Sequence, residues 1–583
     1  MMHMAELRNK AGGYSVITQI LEFILILIVL IDCNSVYRAS TEILVDLQTW
    51  GLVGANAAVG ALLLLHLWQD RTKREIVKQH GGLFLLFLFF TFEFSAVNAI
   101  HHHPQGFFGY FLFFVNGLIL LFRFYEKDGE AFRLLYLLEH VVLFLAVASF
   151  LLWIGSSVLE LWGRNPDIKV SWGGFYSDSN YLNLCIRRWW YKGDVKKNLG
   201  IFIEPPMYGL FLGFGLYTEL FLKKKSNICV VIIFILTLFS NRAVLALMLA
   251  MGALFFQYLE MSRGKKLAKV LTPIALVLLV VGGVTLILYK QRVGWGSFAT
   301  HIDDFAAALK CWMKYPILGC GYDNEIPIKE LMSEFRAHNQ GLSNSAAVVL
   351  AEGGIVLFSY YAIPFLILML AYFRGNRRLA YWAVGMFLFW VVVIFHIRLF
   401  IFFLLAFGYA TIEFKVNLKE AGWRNKVHFS VRYFRENQSE DKGYLSFGFP
   451  ELPMGFVVVM GLILNGLAVY GILSAGHFSV RNLLVSVAII ILEVGGLIIL
   501  HKRKSVTLKH ISFIQIGLWA VYMLFGQAYQ VLNEIYAVTG LHIQTCWYRF
   551  LIVVLCLYSF GVLVDVMYND PKGVCRGIRG KKG

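Results

Sequence analysis

Apolar runs long enough to cross a lipid bilayer recur along this chain, and no other feature restricts its fold as strongly. A helix of about 20 apolar residues spans the hydrocarbon core of a membrane. Hydrophobic residues make up 58% of the 583 residues and charged residues only 15%, a balance that a soluble domain does not carry. We therefore predict an all-α, polytopic integral membrane protein with about 16 transmembrane helices.

The predicted spans form a twelve-span core at residues 1–412 and a four-span C-terminal module at 451–570. Residues 413–450 carry mixed charge and are predicted to be a cytoplasmic connector, and residues 571–583 form a basic tail. The spans of the core lie near 14–32, 50–69, 82–100, 107–123, 131–154, 199–222, 226–240, 242–260, 268–289, 345–370, 379–396 and 398–412. Those of the module lie near 455–474, 480–500, 511–531 and 546–566.

The distribution of basic residues predicts the orientation of the chain in the membrane. The formal net charge is +17, but Lys and Arg fall in short clusters between the apolar runs, a pattern of membrane topology and not of nucleic-acid binding. With a cytoplasmic N-terminus, these clusters and the basic tail all lie in the cytoplasm, and two longer segments, 155–199 and 290–344, lie outside. The clusters are at 71–78, 223–225, 263–266, 374–378 and 502–504.

The outer segment 290–344, which we call the insert, is longer and more polar than a link between two helices needs to be. Apolar residues recur at helical spacing from Ile302 to Trp312, which predicts an amphipathic helix on the membrane surface. Thr300 and Asp303 resemble its capping box. A turn at 316–321 and a second amphipathic piece at 326–335 are predicted to follow.

Cysteine and histidine spacing gives little indication of a metal site. The eight cysteines include no CxxC pair, and we predict no metal and no cofactor. Cys311 and Cys320 of the insert allow either a disulfide or two unpaired small residues.

An arginine in a short helical hairpin is the first candidate binding residue. Ser240 or Asn241 is predicted to cap the second helix of this hairpin, which places Arg242 in its first turn. A cation is unfavourable at that end of a helix and at membrane depth, so we expect an anionic partner. The partner is a bound phosphate or a carboxylate, and Glu204, which precedes two prolines, is one candidate.

His338, near the end of the insert, is either a hydrogen-bonded interfacial histidine or a general base or phosphate donor. Glu204 is likewise an acid–base candidate. Among the ionisable residues within spans, Arg398 is the best binding candidate because the topology puts it on the outer side, as it does Arg242. The other ionisable residues, expected to form mainly internal pairs, are Glu22, Glu93, Glu139, His140, Glu352 and Glu493.

Three sequence blocks resemble the O-antigen polymerase and O-antigen ligase superfamily over roughly residues 10–412. They are Gly-Ile-Phe-Ile-Glu-Pro at 200–205, Ser-Asn-Arg-Ala-Val-Leu at 240–245, and Pro-Ile-Leu-Gly-Cys-Gly at 316–321, the last followed by His338-Asn339 and by Ala-Glu-Gly-Gly-Ile at 351–355. The resemblance implies a polytopic glycosyltransferase that acts on lipid-linked glycans and carries a large extracytoplasmic loop. Arg242 and His338 match residues that the family implies.

The chain also departs from the pattern of this superfamily. The family often has an arginine before the Pro-Leu-Gly-type turn, where this chain has His301, and Arg292 is the nearest arginine upstream. The four-span module has no counterpart in the pattern.

The resemblance implies a polymerase in the cytoplasmic (inner) membrane of a bacterium. Such an enzyme transfers a polyprenyl-diphosphate-linked glycan to a hydroxyl of a lipid-linked repeat unit at the outer face, in O-antigen, capsule or exopolysaccharide synthesis. The alternatives are an O-antigen ligase-type transferase to lipid A core or another surface acceptor and, from another class, a glycolipid transporter. A flippase and a chain-length regulator are the expected protein partners.

The same resemblance implies a role for each candidate residue. His338 or Glu204 takes the proton of the acceptor hydroxyl, and arginines neutralise the departing diphosphate. The arginines are Arg242, Arg398 and Arg292. His301, Arg336 and Asn339 position the acceptor or the loop.

Overall fold

A computed structural model of the protein describes twelve stretches of the chain. They are residues 16–39, 47–101, 109–159, 167–171, 175–181, 184–189, 196–262, 268–293, 295–337, 341–416, 427–431 and 445–446. The predicted C-terminal module and the basic tail lie outside the described residues, as does Glu493.

The described chain is mostly helical, and each predicted span of the core coincides with a helix. The first helices are α1 (Val16–Ile31), α2 (Val36–Ala39), α3 (Leu47–Gln69), α4 (Arg74–Ile100), α5 (Asn116–Lys127), α6 (Arg133–Trp153) and α7 (Pro205–Phe221). They are followed by α8 (Ile228–Asn241), α9 (Val244–Met261), α10 (Ala268–Val293), α11 (Trp295–Lys314), α12 (Ile326–Lys329), α13 (Ser345–Leu370), α14 (Arg377–Val392) and α15 (Leu399–Ala410). Short 3-10 turns occur at Arg71–Lys73, Glu334–Arg336 and Ala371–Arg374, and π-helical turns at Gly109–Val115 and Ile154–Val158.

Five of the described helices are long and apolar enough to cross a membrane, by length and composition. Their apolar segments are Trp50–Gln69, Leu83–Ile100, Arg133–Val158, Val244–Met261 and Ser345–Phe373. This agrees with a helical membrane protein. The larger number of spans stays a prediction.

The all-α expectation needs one correction, because the segment between α6 and α7 forms a small β-sheet. Its antiparallel strands follow chain order: β1 (Asp167–Ser171), β2 (Phe175–Tyr181), β3 (Cys185–Trp189) and β4 (Lys196–Asn198). Short strand pairs follow later, β5 (Ser226–Asn227) with β8 (Leu445–Ser446) and β6 (Ile412–Val416) with β7 (Val427–Val431).

Helix α7 lies at the centre of the helical core. All of its residues from Met207 onward are buried, as expected of a helix that is apolar on every face. Gly213 meets the ring of Phe389, so a side chain larger than hydrogen at this position would collide with α14. Glu204, the residue before α7, is therefore held at one end of the central helix.

Hydrogen bonds and ion pairs join the helix ends in two groups, at opposite ends of the bundle. At the first, which we call the Asp128 end, Lys73 Nζ lies 2.6 Å from Asp128 Oδ2, which joins the start of α4 to the end of α5. Arg378 Nη2 donates to Leu220 O at 2.7 Å, which joins α14 to α7. Arg123 Nε donates to Ala410 O at 3.4 Å, which joins α5 to α15.

At the opposite end, which we call the Asp32 end, the other termini of these helices meet. The Leu399 N–H donates to Asp32 Oδ2 at 2.7 Å, which joins the start of α15 to the end of α1. Asn98, near the end of α4, donates to Tyr322 O of the insert at 3.0 Å. The insert, the β-sheet and the hairpin of α8 and α9 all lie at this end.

Buried ionisable residues within the helices form the expected internal pairs. Glu22 accepts from Arg133 Nε at 2.8 Å, Glu139 lies 2.9 Å from Lys223 Nζ, and Glu352 Oε2 lies 3.2 Å from His396 Nε2. These pairs bind α1 to α6, α6 to the end of α7, and α13 to the loop before α15.

Candidate functional site

The amphipathic helix of the insert begins earlier than its predicted capping box. Helix α11 starts at Trp295, so Thr300 lies inside it and its Oγ1 donates to Gly296 O at 2.8 Å. The capping-box prediction is wrong because the residues before Thr300 continue the helix. Asp303 instead accepts the N–H of Ser333 at 3.1 Å and ties α11 to the later part of the insert.

The second predicted amphipathic piece is shorter than expected. It consists of the single turn α12 and the 3-10 turn Glu334–Arg336. Ser333 interrupts it in an extended conformation (ψ 151°), held there by Asp303. The contact with Asp303 therefore prevents the continuous helix that the spacing of apolar residues predicted.

The predicted turn at 316–321 docks into a break in helix α13. At Gly354 (φ 58°, ψ −159°) the backbone of α13 leaves the helical conformation. The carbonyl oxygens of Ala351 and Glu352 accept the N–H groups of Cys320 (3.0 Å) and Gly321 (2.9 Å). The Ile355 N–H donates to Pro316 O at 3.0 Å. The turn thus satisfies the backbone groups that the break would leave unpaired.

Glycine is required on both sides of this contact. A Cβ on Gly319 (φ 73°) would lie 2.2 Å from the carbonyl carbon of Glu352, and one on Gly354 would lie 2.2 Å from Ile317 O. The two motifs that carried the family resemblance in this region are therefore a docking contact between backbones. Cys311 and Cys320, close by, are both free and buried, and their thiol groups contact each other.

Arg336 is buried and anchors the insert. Its Nη1 donates to Asp304 Oδ1 at 2.6 Å and to Thr300 O at 3.1 Å, and its Nη2 donates to Gly341 O at 2.7 Å. The guanidinium thus joins α11 to the residues that directly precede and follow the segment 338–340. This placement suits the loop-positioning role predicted for Arg336. His338 and Asn339 themselves lie outside the described residues.

His301 lies on α11, one turn before Asp304, and is half-buried. Its Nδ1 lies 2.6 Å from Ser343 Oγ, and the Ser343 hydroxyl also contacts Asp304 Oδ2. The histidine is thus joined to the Arg336 anchor through a serine and an aspartate.

The contact continues from the insert to the loop that carries Arg398. Ser345 Oγ donates to Val393 O at 2.7 Å and accepts the N–H of Phe395 at 2.8 Å. Arg398, half-buried, is the last residue before α15. The N–H of the next residue, Leu399, binds Asp32.

Asp32 and Asn34 connect this loop to Glu204. Asp32 is buried, and its carboxylate lies 3.5 Å from Arg38 Nη1 in addition to its bond at the N-terminus of α15. Asn34 Nδ2 donates to Glu204 Oε1 at 3.2 Å, and its backbone O accepts the Ile203 N–H at 3.1 Å. The segment before α7 thus lies along the residues that follow α1, which explains why α7 starts at Pro205 and not at 199.

Arg242 occupies a different position from the one predicted. It closes α8 in the left-handed conformation (φ 58°, ψ 28°), and α9 starts only at Val244. Its side chain is exposed, and among the described residues it makes no ion pair. The expected conflict with the dipole of the second helix is therefore wrong, since a cation is favourable at the C-terminal end of α8.

A buried network around Asn198 fixes this turn. Asn241 Nδ2 donates to Asn198 O at 2.8 Å, and its Oδ1 accepts the Ala243 N–H at 3.2 Å. Asn198 Nδ2 donates to Ser240 and Ser149, each at 3.1 Å. Residues 198–204 therefore run from the Arg242 turn to Glu204, over a distance of at most about 20 Å for a fully extended chain.

Most of the predicted site residues thus lie along one continuous set of contacts at the Asp32 end, which we call the polar belt. The belt does not include Arg292, which is exposed in the last turn of α10. Within the described residues, no group of three or more His, Cys, Asp or Glu is arranged to hold a metal ion. The members of the belt are His301, Asp304, Ser343, Ser345, Arg398, Asp32, Asn34, Glu204, Asn198, Asn241 and Arg242.

Sequence reasoning missed several of these residues. The sequence did not predict Asp32, Asn34 and Ser343 as site residues, because each is a single polar residue beside an apolar run. The available signal was position: Asp32 is the last residue of the predicted span 14–32, Asn34 lies two residues beyond it, and Ser343 lies two residues before the span 345–370.

Backbone strain also concentrates at this end. Among the described residues, three that are not glycine have a positive φ: Asn34 (50°), Arg242 (58°) and Asp323 (58°). Such residues occur mainly where the surrounding structure holds them, and they cluster at functional sites. All three lie at the Asp32 end.

No protein-family model matches the sequence, and no curated protein is significantly similar to it.

Proposed function

We propose that the protein is a membrane glycosyltransferase that polymerises polysaccharide at the outer face of the cytoplasmic membrane of a bacterium. Its donor is a polyprenyl-diphosphate-linked glycan, and its acceptor is the hydroxyl of a lipid-linked repeat unit. The observation that carries the proposal is the polar belt, in which two arginines, three carboxylates and a histidine lie at one end of the helical bundle. The sequence resemblance supplies the substrate class.

The electrostatics of the belt suit a diphosphate. Arg242 is exposed, and Arg398, which is half-buried, directly precedes α15, whose first N–H group is bound by the Asp32 carboxylate. An arginine guanidinium offers paired donors that match phosphate oxygens. In the proposed reaction these arginines stabilise the charge that develops on the departing diphosphate.

In the proposed reaction the acceptor oxygen bonds to the anomeric carbon as the bond to the diphosphate breaks, and the diphosphate leaves with the electron pair. A base at the belt accepts the proton of the acceptor hydroxyl. His338 and Glu204 are the bases assigned from sequence. No nucleotide sugar is needed, because the donor already carries its leaving group.

A transporter is the alternative from another class, and the break in α13 is the observation in its favour. Broken helices at membrane depth often form transport sites from their unpaired backbone groups. Here the turn at 316–321 already occupies several of these groups, among them the carbonyl oxygens of Ala351 and Glu352. The break therefore supports a structural role more than a transport site.

The test is the length of surface glycan in a host deleted for the gene and complemented with wild type, Arg242→Ala or Glu204→Gln at matched protein levels. We expect wild type to restore long chains and both variants to leave mainly single repeat units. Long chains that stay on the polyprenyl carrier in the deleted host indicate a ligase instead. Variants that restore the wild-type length distribution would overturn the site, and the transporter would become the better hypothesis.

A further inference from the structure

The insert contains a chain of hydrogen bonds that leads from a buried ion pair to a half-buried histidine. Arg336 and Asp304 are both buried and joined at 2.6 Å. The second oxygen of Asp304 contacts the hydroxyl of Ser343, and Ser343 Oγ lies 2.6 Å from Nδ1 of His301. These four residues come from α11, the 3-10 turn Glu334–Arg336 and the segment before α13.

The proton positions in this chain follow from the chemistry of its members. Burial raises the pKa of the Asp304 carboxyl above its usual value, although the hydrogen bonds from Ser343 and Arg336 act in the opposite direction. The guanidinium at 2.6 Å keeps the carboxylate ionised at neutral pH, so Asp304 only accepts hydrogen bonds. Ser343 therefore donates its single proton to Asp304, and its oxygen accepts a proton from His301. Nδ1 of His301 is then the protonated nitrogen, and Nε2 carries the lone pair.

We infer that His301, in place of the sequence candidates His338 and Glu204, is the general base of the transfer, with Nε2 accepting the proton of the acceptor hydroxyl. This inference rests on the proposed function. As the new bond between the acceptor oxygen and the anomeric carbon forms, the proton moves to Nε2 and the diphosphate leaves with the electron pair of the broken bond. The imidazolium then returns the proton to solvent. The positive charge that forms on His301 is stabilised through Ser343 by the Asp304 carboxylate.

The location of His301 fits this role. Ser343 is two residues before Ser345, which binds the loop leading to Arg398. The histidine is therefore tied to the same loop as a proposed diphosphate ligand. Asn344, between the two serines, is extended (φ −137°, ψ 133°), so the side chains of Ser343 and Ser345 point to the same side of the chain.

Three variants distinguish the loss of the base itself from the loss of the residue that holds it in place. His301→Asn keeps a donor near the position of Nδ1, and hence the bond to Ser343, but has no Nε2. His301→Gln places an amide near Nε2 that cannot take a proton. Ser343→Ala keeps the imidazole but removes the group that fixes its tautomer. Lys310→Ala, an exposed residue of the same helix, is the control.

The experiment measures polymerisation by the purified full-length protein in proteoliposomes, with lipid-linked repeat unit as both donor and acceptor, from pH 5 to pH 9. We expect His301→Asn and His301→Gln to lower kcat by roughly 100- to 10,000-fold with little change in KM. The loss of rate of the wild type at acidic pH should be absent from both. Ser343→Ala should lower kcat less, and the control should match wild type. His301→Asn should unfold at the same temperature as wild type.

A wild-type kcat in His301→Asn, or an unchanged loss of rate at acidic pH, would overturn the assignment while leaving the polymerase function intact. A wild-type protein that makes no polymer under any condition would overturn the function itself and this assignment with it. Added imidazole gives an independent outcome, because it should restore part of the rate to His301→Ala. Failure of imidazole to restore any rate, with the variant still folded, also contradicts the assignment.

Discussion

At the scale of single residues, Arg242 is held in a backbone conformation that arginine does not favour. Asn198, Ser240 and Asn241 form a satisfied buried network around the turn, and the turn leaves Arg242 exposed in the left-handed region. That conformation costs a residue with a Cβ roughly 1–2 kcal/mol. Glycine or asparagine is the usual residue there. In the proposed function this cost is offset by the diphosphate that the Arg242 side chain binds.

Arg242→Gly should therefore separate stability from activity. We expect its free energy of unfolding to be unchanged or higher by up to about 1 kcal/mol, because glycine adopts the left-handed conformation without strain. Its polymerisation rate should fall by roughly 100-fold or more, as expected when one donor to a developing charge is lost. Thermal unfolding in detergent and the polymerisation assay measure the two effects.

Lys310→Gly provides the matched control for this prediction. Lys310 is also exposed and basic but lies within α11, where glycine should cost about 1 kcal/mol of stability. Equal destabilisation in both variants would show that Arg242 is not strained. Normal polymerisation by Arg242→Gly would remove it from the proposed site.

At the scale of elements, the decisive contact is the docking of the turn at 316–321 into the break of α13. The sequence predicted the turn and a helix from 345, but it treated the Gly353-Gly354 pair as an ordinary part of that helix. The break depends on partners about 35 residues upstream, and helical periodicity does not encode such contacts. A contact with Asp303, 30 residues upstream, likewise shortens the second amphipathic piece at Ser333.

Two alanine substitutions test this docking against backbone strain alone. Gly354 and Gly375 both have positive φ (58° and 89°), but only at Gly354 would a Cβ meet backbone atoms, whereas nothing lies within 4 Å of one at Gly375. Gly375→Ala should cost roughly 1–2 kcal/mol from strain. Gly354→Ala should cost about 1–3 kcal/mol more from the clash with Ile317. Thermal unfolding of the two variants measures the difference, and equal losses would contradict the docking contact.

At the scale of the whole molecule, the sequence predicted which helix ends lie together but not what joins them. Each predicted span of the core contains a helix, and the bonds at the Asp32 and Asp128 ends agree with helices that alternate in direction. Which end faces the cytoplasm stays a prediction. The sheet β1–β4 was missed, because its strands are short and polar and carry no continuous apolar pattern. The polar belt was predicted only in part, since Asp32, Asn34 and Ser343 gain their role from partners far along the chain.

The orientation of the bundle is testable by labelling single cysteines in a cysteine-free background. Lys314 lies in the insert at the Asp32 end, and Lys224 lies at the Asp128 end; both are exposed. Lys314→Cys should react with a membrane-impermeant maleimide in intact cells, in spheroplasts if an outer membrane blocks the reagent. Lys224→Cys should react only after the inner membrane is opened. The reverse pattern would place the polar belt in the cytoplasm and contradict the proposed reaction.

For the proposed glycosyltransferase, the docking of the turn at 316–321 into α13 limits how new specificity can be acquired. A loop exchanged between two proteins of this kind would have to bring a matching turn, or the recipient's broken helix would expose carbonyl oxygens within the membrane. We therefore expect the turn and the Gly353-Gly354 pair to occur together, both in natural variants and in designed chimeras. Diversity in sugar recognition would then concentrate in the stretches of the insert on either side of that unit.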